Sequence, residues 1–175
     1  VSDPSNPVEV GHLGLYCPVG VAVSGSYAYV SSRCSWAGLH VIDVSDPSNP
    51  VEVGYCEGTT SNISEIAVSG SYAYVTHYCT HHNGLYVIDV SHPFNPFIVG
   101  SWGTSVPVSE VAVSGSYAYV ACGTSGLSVI CISTPSNPHV VGSYDTPGSA
   151  CDVYVSGSYA YVADGDSGLS IIDIS

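Results

Sequence analysis

Lysine is absent from this chain of 175 residues, and Arg33 is its single arginine. Against 14 acidic side chains this leaves a formal net charge of −13. Nucleic acids and anionic membrane surfaces are bound by Lys and Arg that neutralise phosphates, so both partners are excluded. Long apolar runs are missing too, and no segment is long enough to span a bilayer as a helix. No stretch sustains a 3.6-residue apolar period, which predicts almost no helix. Several motifs are also missing: Cys-x-x-Cys, His-Glu-x-x-His, Gly-x-Ser-x-Gly and a phosphate-cradling glycine loop. Thiolate zinc centres, zincin-type hydrolysis, the nucleophile elbow and nucleotide binding lose their usual carriers. We expect no enzymatic activity and no obligate cofactor.

What is present is repetition. The octet Val-Ser-Gly-Ser-Tyr-Ala-Tyr-Val occurs unchanged at 23–30, 68–75, 113–120 and 155–162. A Gly-Leu pair follows each octet, at Gly38-Leu39, Gly84-Leu85, Gly126-Leu127 and Gly168-Leu169. A proline-rich link comes next, as in Ser45-Asp46-Pro47-Ser48-Asn49-Pro50, and the chain begins in such a link. β-branched and aromatic residues fill the runs, while Gly, Ser, Asn and Pro bound them. In the second repeat this predicts strands at Ile66-Ala67-Val68, Tyr72-Ala73-Tyr74-Val75, Leu85–Val90 and Phe97-Ile98-Val99. Four short strands per unit of about 43 residues are the pattern of an all-β propeller blade. One such sheet cannot bury both faces alone, so units must stack. The expected domain is a single propeller over 1–175, with repeats near 2–44, 45–90, 91–132 and 133–175.

The run Leu39-His40-Val41-Ile42-Asp43 and its counterpart Gly168-Leu169-Ser170-Ile171-Ile172-Asp173-Ile174-Ser175, preceded by Ser156–Ala163, resemble the LVIVD repeat. The resemblance covers essentially the whole chain. It implies a β-propeller from a family found largely on bacterial and archaeal surfaces or secreted, and it transfers no catalytic residues.

Position 1 is Val, so a processed chain or a piece of a longer one is expected. The repeat phase predicts that Val8-Glu9-Val10 is the outermost strand of a blade whose other three strands lie in the last repeat. Within one chain that pairing closes a four-bladed ring. Between chains it gives an eight-bladed closed pair or a head-to-tail filament. Self-association, or contact with other surface proteins, is therefore the expected partnership, and an extracellular or cell-surface location fits seven cysteines among abundant Ser, Gly and Tyr.

Among possible sites, Cys17–Cys34 and Cys56–Cys79 fall in loop pairs of one propeller face and are candidate disulfides. Cys122–Cys151 is a third, leaving Cys131 odd. Asn62 heads the sequon Asn62-Ile63-Ser64, which makes it a glycosylation candidate. His77, Cys79, His81 and His82 form the dense cluster of zinc- or copper-type ligands, although one repeat alone carries it. Asp164-Gly165-Asp166-Ser167-Gly168 opens like a calcium loop but lacks the distal Glu, so a plain turn is the preferred reading. Glu65, Glu110 and Asp152 share one repeat position and would gather at a channel mouth. There they either hold a cation or share protons, or else each accepts backbone N–H bonds. Trp36, Tyr78, Trp102 and Tyr144 fall on one predicted face suited to glycans or a protein partner.

Overall fold

The repeated octet folds as a tight hairpin, and the computed structural model shows why. Ser24 pairs with Tyr27 across two turn residues, and Gly25 takes φ 59°. Glycine in the first turn position suits the left-handed φ that matches strand twist. Gly70, Gly115 and Gly157 repeat it at φ 59°, 57° and 58°. The structure describes residues 4–33, 37–57, 63–78 and 83–175.

Each hairpin grows into an antiparallel sheet with strands in sequence order. The first sheet comprises β1 (Pro18–Ser24), β2 (Tyr27–Ser32), β3 (Gly38–Asp43) and β4 (Val51–Cys56). The second comprises β5 (Ile63–Ser69), β6 (Tyr72–His77), β7 (Asn83–Asp89) and β8 (Phe97–Thr104). The third comprises β9 (Val111–Ser114), β10 (Tyr117–Ala121), β11 (Leu127–Cys131) and β12 (His139–Tyr144). The fourth has three strands, β13 (Asp152–Ser156), β14 (Tyr159–Ala163) and β15 (Leu169–Asp173). Among the described residues the single helical element is a 3-10 turn at Gly165–Ser167. The molecule is a four-bladed β-propeller unit, as the repeat predicts.

The outermost strand of each complete blade carries a bulge beside its glycine, between Val41 and Ile42, Val87 and Ile88, or Val129 and Ile130 of the partner strand. The reason is close approach. A Cβ on Gly54 would overlap the Pro93 carbonyl oxygen, and one on Gly100 the Pro135 carbonyl. The outer strands β4 and β8 thus lie against the proline link of the next blade, where no side chain fits. The Asp of the Ile-Asp-Val run holds that link from the other side. Asp43, Asp89 and Asp173 accept the amides of Ser45, Ser91 and Ser175 at 2.8, 2.9 and 2.9 Å. These bonds keep all three carboxyls below the usual range. Cys131 substitutes in the third repeat, with its sulfur 3.1 Å from Ser133 Oγ.

Blades stack face to face. The back of one presents Ala22, Tyr29, Leu39 and Val41, and the front of the next answers with Ile66, Ala73, Val75 and Ile88. The same positions recur between the second and third blades and between the third and fourth. Tyr29, Tyr74 and Tyr119 are buried there, so the Tyr-x-Tyr motif is core packing. Leu39, Leu85 and Leu127 are at most 1% exposed, and each such burial contributes about 1.5–3 kcal/mol. Hydroxyls tie the inner ends together. Ser31 Oγ accepts from Gly20 N and donates to Ser64 O of the next blade at 3.2 Å. Thr76 Oγ1 does the same with Glu65 N and Ser109 O, and Ser109 Oγ reaches Ala150 O.

Two expectations need adjusting. Val8-Glu9-Val10 belongs to no sheet, and the chain does not complete its own last blade. The inner strands β1, β5, β9 and β13 pack in series, but β13 and β1 do not meet in the same way. Four blades therefore form an open arc.

Candidate functional site

The arc leaves two faces that its internal interfaces would cover. On the back of blade four, Leu169 and Ile171 are 64% and 59% exposed, where Leu39 and Val41 of blade one are fully buried. Tyr154 and Tyr159 join them; Tyr154 stands where the other blades carry Ala22, Ala67 and Ala112. On the front of blade one, Val21 and Val23 are exposed, while Val21's counterparts Ile66 and Val111 are buried and Val23's counterparts Val68 and Val113 are half-buried. Beside the free side of β15 runs a groove of about 540 Å³. Tyr117, Tyr119 and Val129 of blade three, Gly142 of its outer strand and Ile172 and Ile174 line it.

The first residues supply a matching element. Leu13 and Leu15 pack on Ala28, Val30 and Ile42 of blade one's front face. A Cβ on Gly11 would overlap the Pro47 carbonyl, repeating the contacts of Gly54 and Gly100. This segment occupies the place of the outer strand of a preceding blade. Upstream, Pro4 to Val10 is exposed.

The three carboxylates do come together electrostatically near the inner strands. Glu110 is pushed up to about 7, chiefly by burial, with Glu65 and Asp152 adding to the rise and the Val111 amide opposing it. Burial also raises Glu65, while the charge of Arg33 lowers it. The one arginine thus lies beside the acidic group. Among the described residues no three His, Cys, Asp or Glu are grouped to hold a metal.

One constellation escaped the sequence reading. Ser32 Oγ lies 2.8 Å from His40 Nε2, and His40 Nδ1 lies 2.8 Å from Glu52 Oε1. The Tyr55 ring packs against His40 with centroids 4.9 Å apart. Ser, His and Glu in this order have the spacing of a nucleophilic triad. Ser32 is wholly buried, however, and the cavity beside the group meets His40, Glu52 and Tyr55 but not the serine. The same place holds His77 stacked on Tyr86 in blade two, and Cys122 with Ser128 in blade three. It is a polar plug at the front of each blade. The signal was an alternation position that is polar in every repeat but never with the same residue.

The remaining candidates scatter. Cys122 and Cys151 are not joined: Cys122 Sγ is buried against Val120 O and Ser128 Oγ, whereas Cys151 Sγ is exposed and points to Ser149 O. Cys17 lies just before β1 and Cys56 is buried at the end of β4, and their expected partners Cys34 and Cys79 lie outside the described residues. So do Asn62, His81, His82 and Trp36. His77 is buried and stacks on Tyr86. The Asp164 carboxylate accepts Thr146 Oγ1 at 2.6 Å and Gly148 N at 2.9 Å, so it fastens a loop. Trp102 is half-buried between blades two and three, which corrects its place on an exposed aromatic face. Tyr78 and Tyr144 are exposed at separate strand ends.

Stacked four-stranded blades with hairpin-linked inner strands define a β-propeller protein. The LVIVD repeat model matches residues 19–58, 61–104, 107–146 and 147–175, and the chain belongs to the LVIVD-repeat family. No curated protein sequence matches it. The computationally designed Ika4 protein is similar in structure at TM-score 0.76 and 10% identity, covering 97% of this chain and 100% of its own. The designed Ika8 protein matches at TM-score 0.71 and 10% identity, over 90% of this chain but 46% of its own. A protein of Bacteroides uniformis, provisionally described as a 6-phosphogluconolactonase, matches at TM-score 0.74 and 13% identity, over 88% of this chain and 52% of its own. The chain thus spans about half the length of the latter two. At these identities the likeness is one of fold.

Proposed function

We propose that this protein is a non-catalytic structural and interaction scaffold, displayed on a surface or secreted, that works by docking another blade face onto its open end. The observation that carries this is the back of blade four. Leu169 and Ile171 stand there in water, while the equivalent Leu is buried in every other blade and the equivalent Val is buried in blades one and two and half-buried in blade three. A contiguous apolar face of this kind marks an interaction surface. The nearest thing to a catalytic group, Ser32–His40–Glu52, has its serine sealed inside the blade, which supports a scaffold rather than an enzyme. Abundant Ser and Tyr with almost no basic side chains support the surface location.

The test is sedimentation of the intact chain across a wide concentration range, beside the Leu169→Asp/Ile171→Asp variant. Association by the wild type that the variant loses, with an unchanged β-sheet spectrum, supports the reading. A wild type that stays monomeric at every concentration rejects it.

A further inference from the structure

We infer that the corner of blade one where His40, Glu52, Tyr55 and Tyr16 meet binds an organic cation, namely an ammonium group on a short aliphatic stem. The site is separate from the open blade faces and does not rest on the docking reading.

The cavity there measures about 390 Å³, and Gly14 and Leu15 complete its wall. That lies at the small end for ligand pockets, which run from about 300 to 1,000 Å³. What it offers a ligand follows from which polar atoms are already engaged. Glu52 Oε1 lies 2.8 Å from His40 Nδ1, and a carboxylate oxygen only accepts, so Nδ1 carries the ring proton. Nε2 is then the acceptor for the Ser32 hydroxyl, also at 2.8 Å. The Tyr55 hydroxyl donates to Ala37 O at 3.2 Å. Glu52 Oε2, the Tyr55 ring and the exposed Tyr16 remain for a ligand.

A carboxylate oxygen beside tyrosine rings repels anions and suits a positively charged donor. An ammonium group donates to the carboxylate and is drawn to the negative faces of the rings. Leu15 supplies the apolar wall for its stem. A chain of net charge −13 also raises the local concentration of cations. The carboxylate is fixed in advance, because hydrogen bonds run from buried Ser32 through His40 to Glu52. Binding therefore loses little entropy in ordering it.

Blade packing does not call for these residues. At the positions of His40, Glu52 and Tyr55, blade two carries Tyr86, Ile98 and Ser101, and blade three carries Ser128, Val140 and Ser143. Both of those blades stack without a carboxylate there. The corner also stays accessible when blades stack. Its equivalent on blade two, lined by Tyr86 and Ser101, is a cavity of about 460 Å³ although blade one packs on that front.

Calorimetric titration of the intact chain with n-butylammonium chloride tests this. One saturable site is expected, and n-butanol, its neutral counterpart, should bind about tenfold more weakly. Glu52→Gln should lower the affinity about tenfold, and Tyr16→Leu about threefold, both with unchanged β-sheet spectra. Asp166→Asn makes the same change of charge at an exposed residue of blade four and should leave binding as it was. If Glu52→Gln unfolds the chain, Tyr16→Leu carries the test alone, since Tyr16 is 64% exposed. N-acetyl-lysine amide, titrated in parallel, distinguishes the source of the cation. Tighter binding of it than of butylammonium supports a protein lysine, and the reverse a free amine; both sustain the site. Equal affinity for butanol would overturn the preference for a cation. An equal loss in Asp166→Asn would overturn the site in favour of diffuse charge attraction, and so would the absence of saturable heat.

Discussion

Glu110 carries the clearest electrostatic signature in the molecule. Its carboxyl ordinarily ionises near 4.5 and is raised to about 7 by burial beside Glu65 and Asp152. For an acid, a raised value favours the neutral form in the fold. Ionisation therefore costs stability as pH climbs from about 4.5, and the full cost is present above about 7. Glu110→Gln removes it. Thermal or denaturant unfolding should find the variant more stable than wild type by roughly 1 kcal/mol at pH 8, with no difference at pH 4. The full shift would suggest more, but a partly exposed group is screened by solvent. An advantage that persists at pH 4 would mean that the gain has another cause. The position was visible in the sequence as the recurrence of Glu65, Glu110 and Asp152. Which carboxyl is perturbed was not, because burial depends on how adjacent blades close over each one. The Ser32–His40–Glu52 group shows the same limit. Its members lie on three strands and no spacing rule connects them, since register and the bulge at Val53 beside Glu52 bring them within 2.8 Å.

At the scale of the element, the outer strand and its glycine set blade spacing. Gly54→Ala places a methyl against the Pro93 carbonyl, and separating two packed blades should cost about 1–3 kcal/mol. Gly14→Ala is the control, because nothing lies near its Cβ direction, and surface changes of that sort stay within about 0.5 kcal/mol. Denaturant unfolding of the two variants decides it; equal stabilities would contradict the close approach. Here the sequence was most legible. Hairpin turns, four strands per repeat and the bounding links could be read from the octet and the proline runs, because local turn chemistry fixes them. Strand length was less so: β8 runs on to Thr104 beyond the expected Phe97-Ile98-Val99, held by pairing with β7.

For the whole molecule, stacking order followed from repetition, but the opening of the arc did not, since it depends on the angle between blades. Charge then shapes assembly. Two copies at −13 each repel, so screening should favour their union. Dissociation constants measured by sedimentation should fall severalfold between 20 mM and 500 mM sodium chloride, concentrations chosen as roughly 20 Å and under 5 Å in screening length. Weakening with salt would instead point to attraction between charged patches.

The free edge of β15 has one more consequence, and it concerns time rather than energy. Proteins commonly guard an exposed strand edge with lysine, and this chain has none. An unpaired copy therefore shows its neighbours Leu169 and Ile171 on an edge with Asp173 as its one charged residue. The longer a copy waits alone after synthesis, the more chances it has to pair wrongly. On the proposed docking, the speed of association takes over the guarding role that lysine has elsewhere.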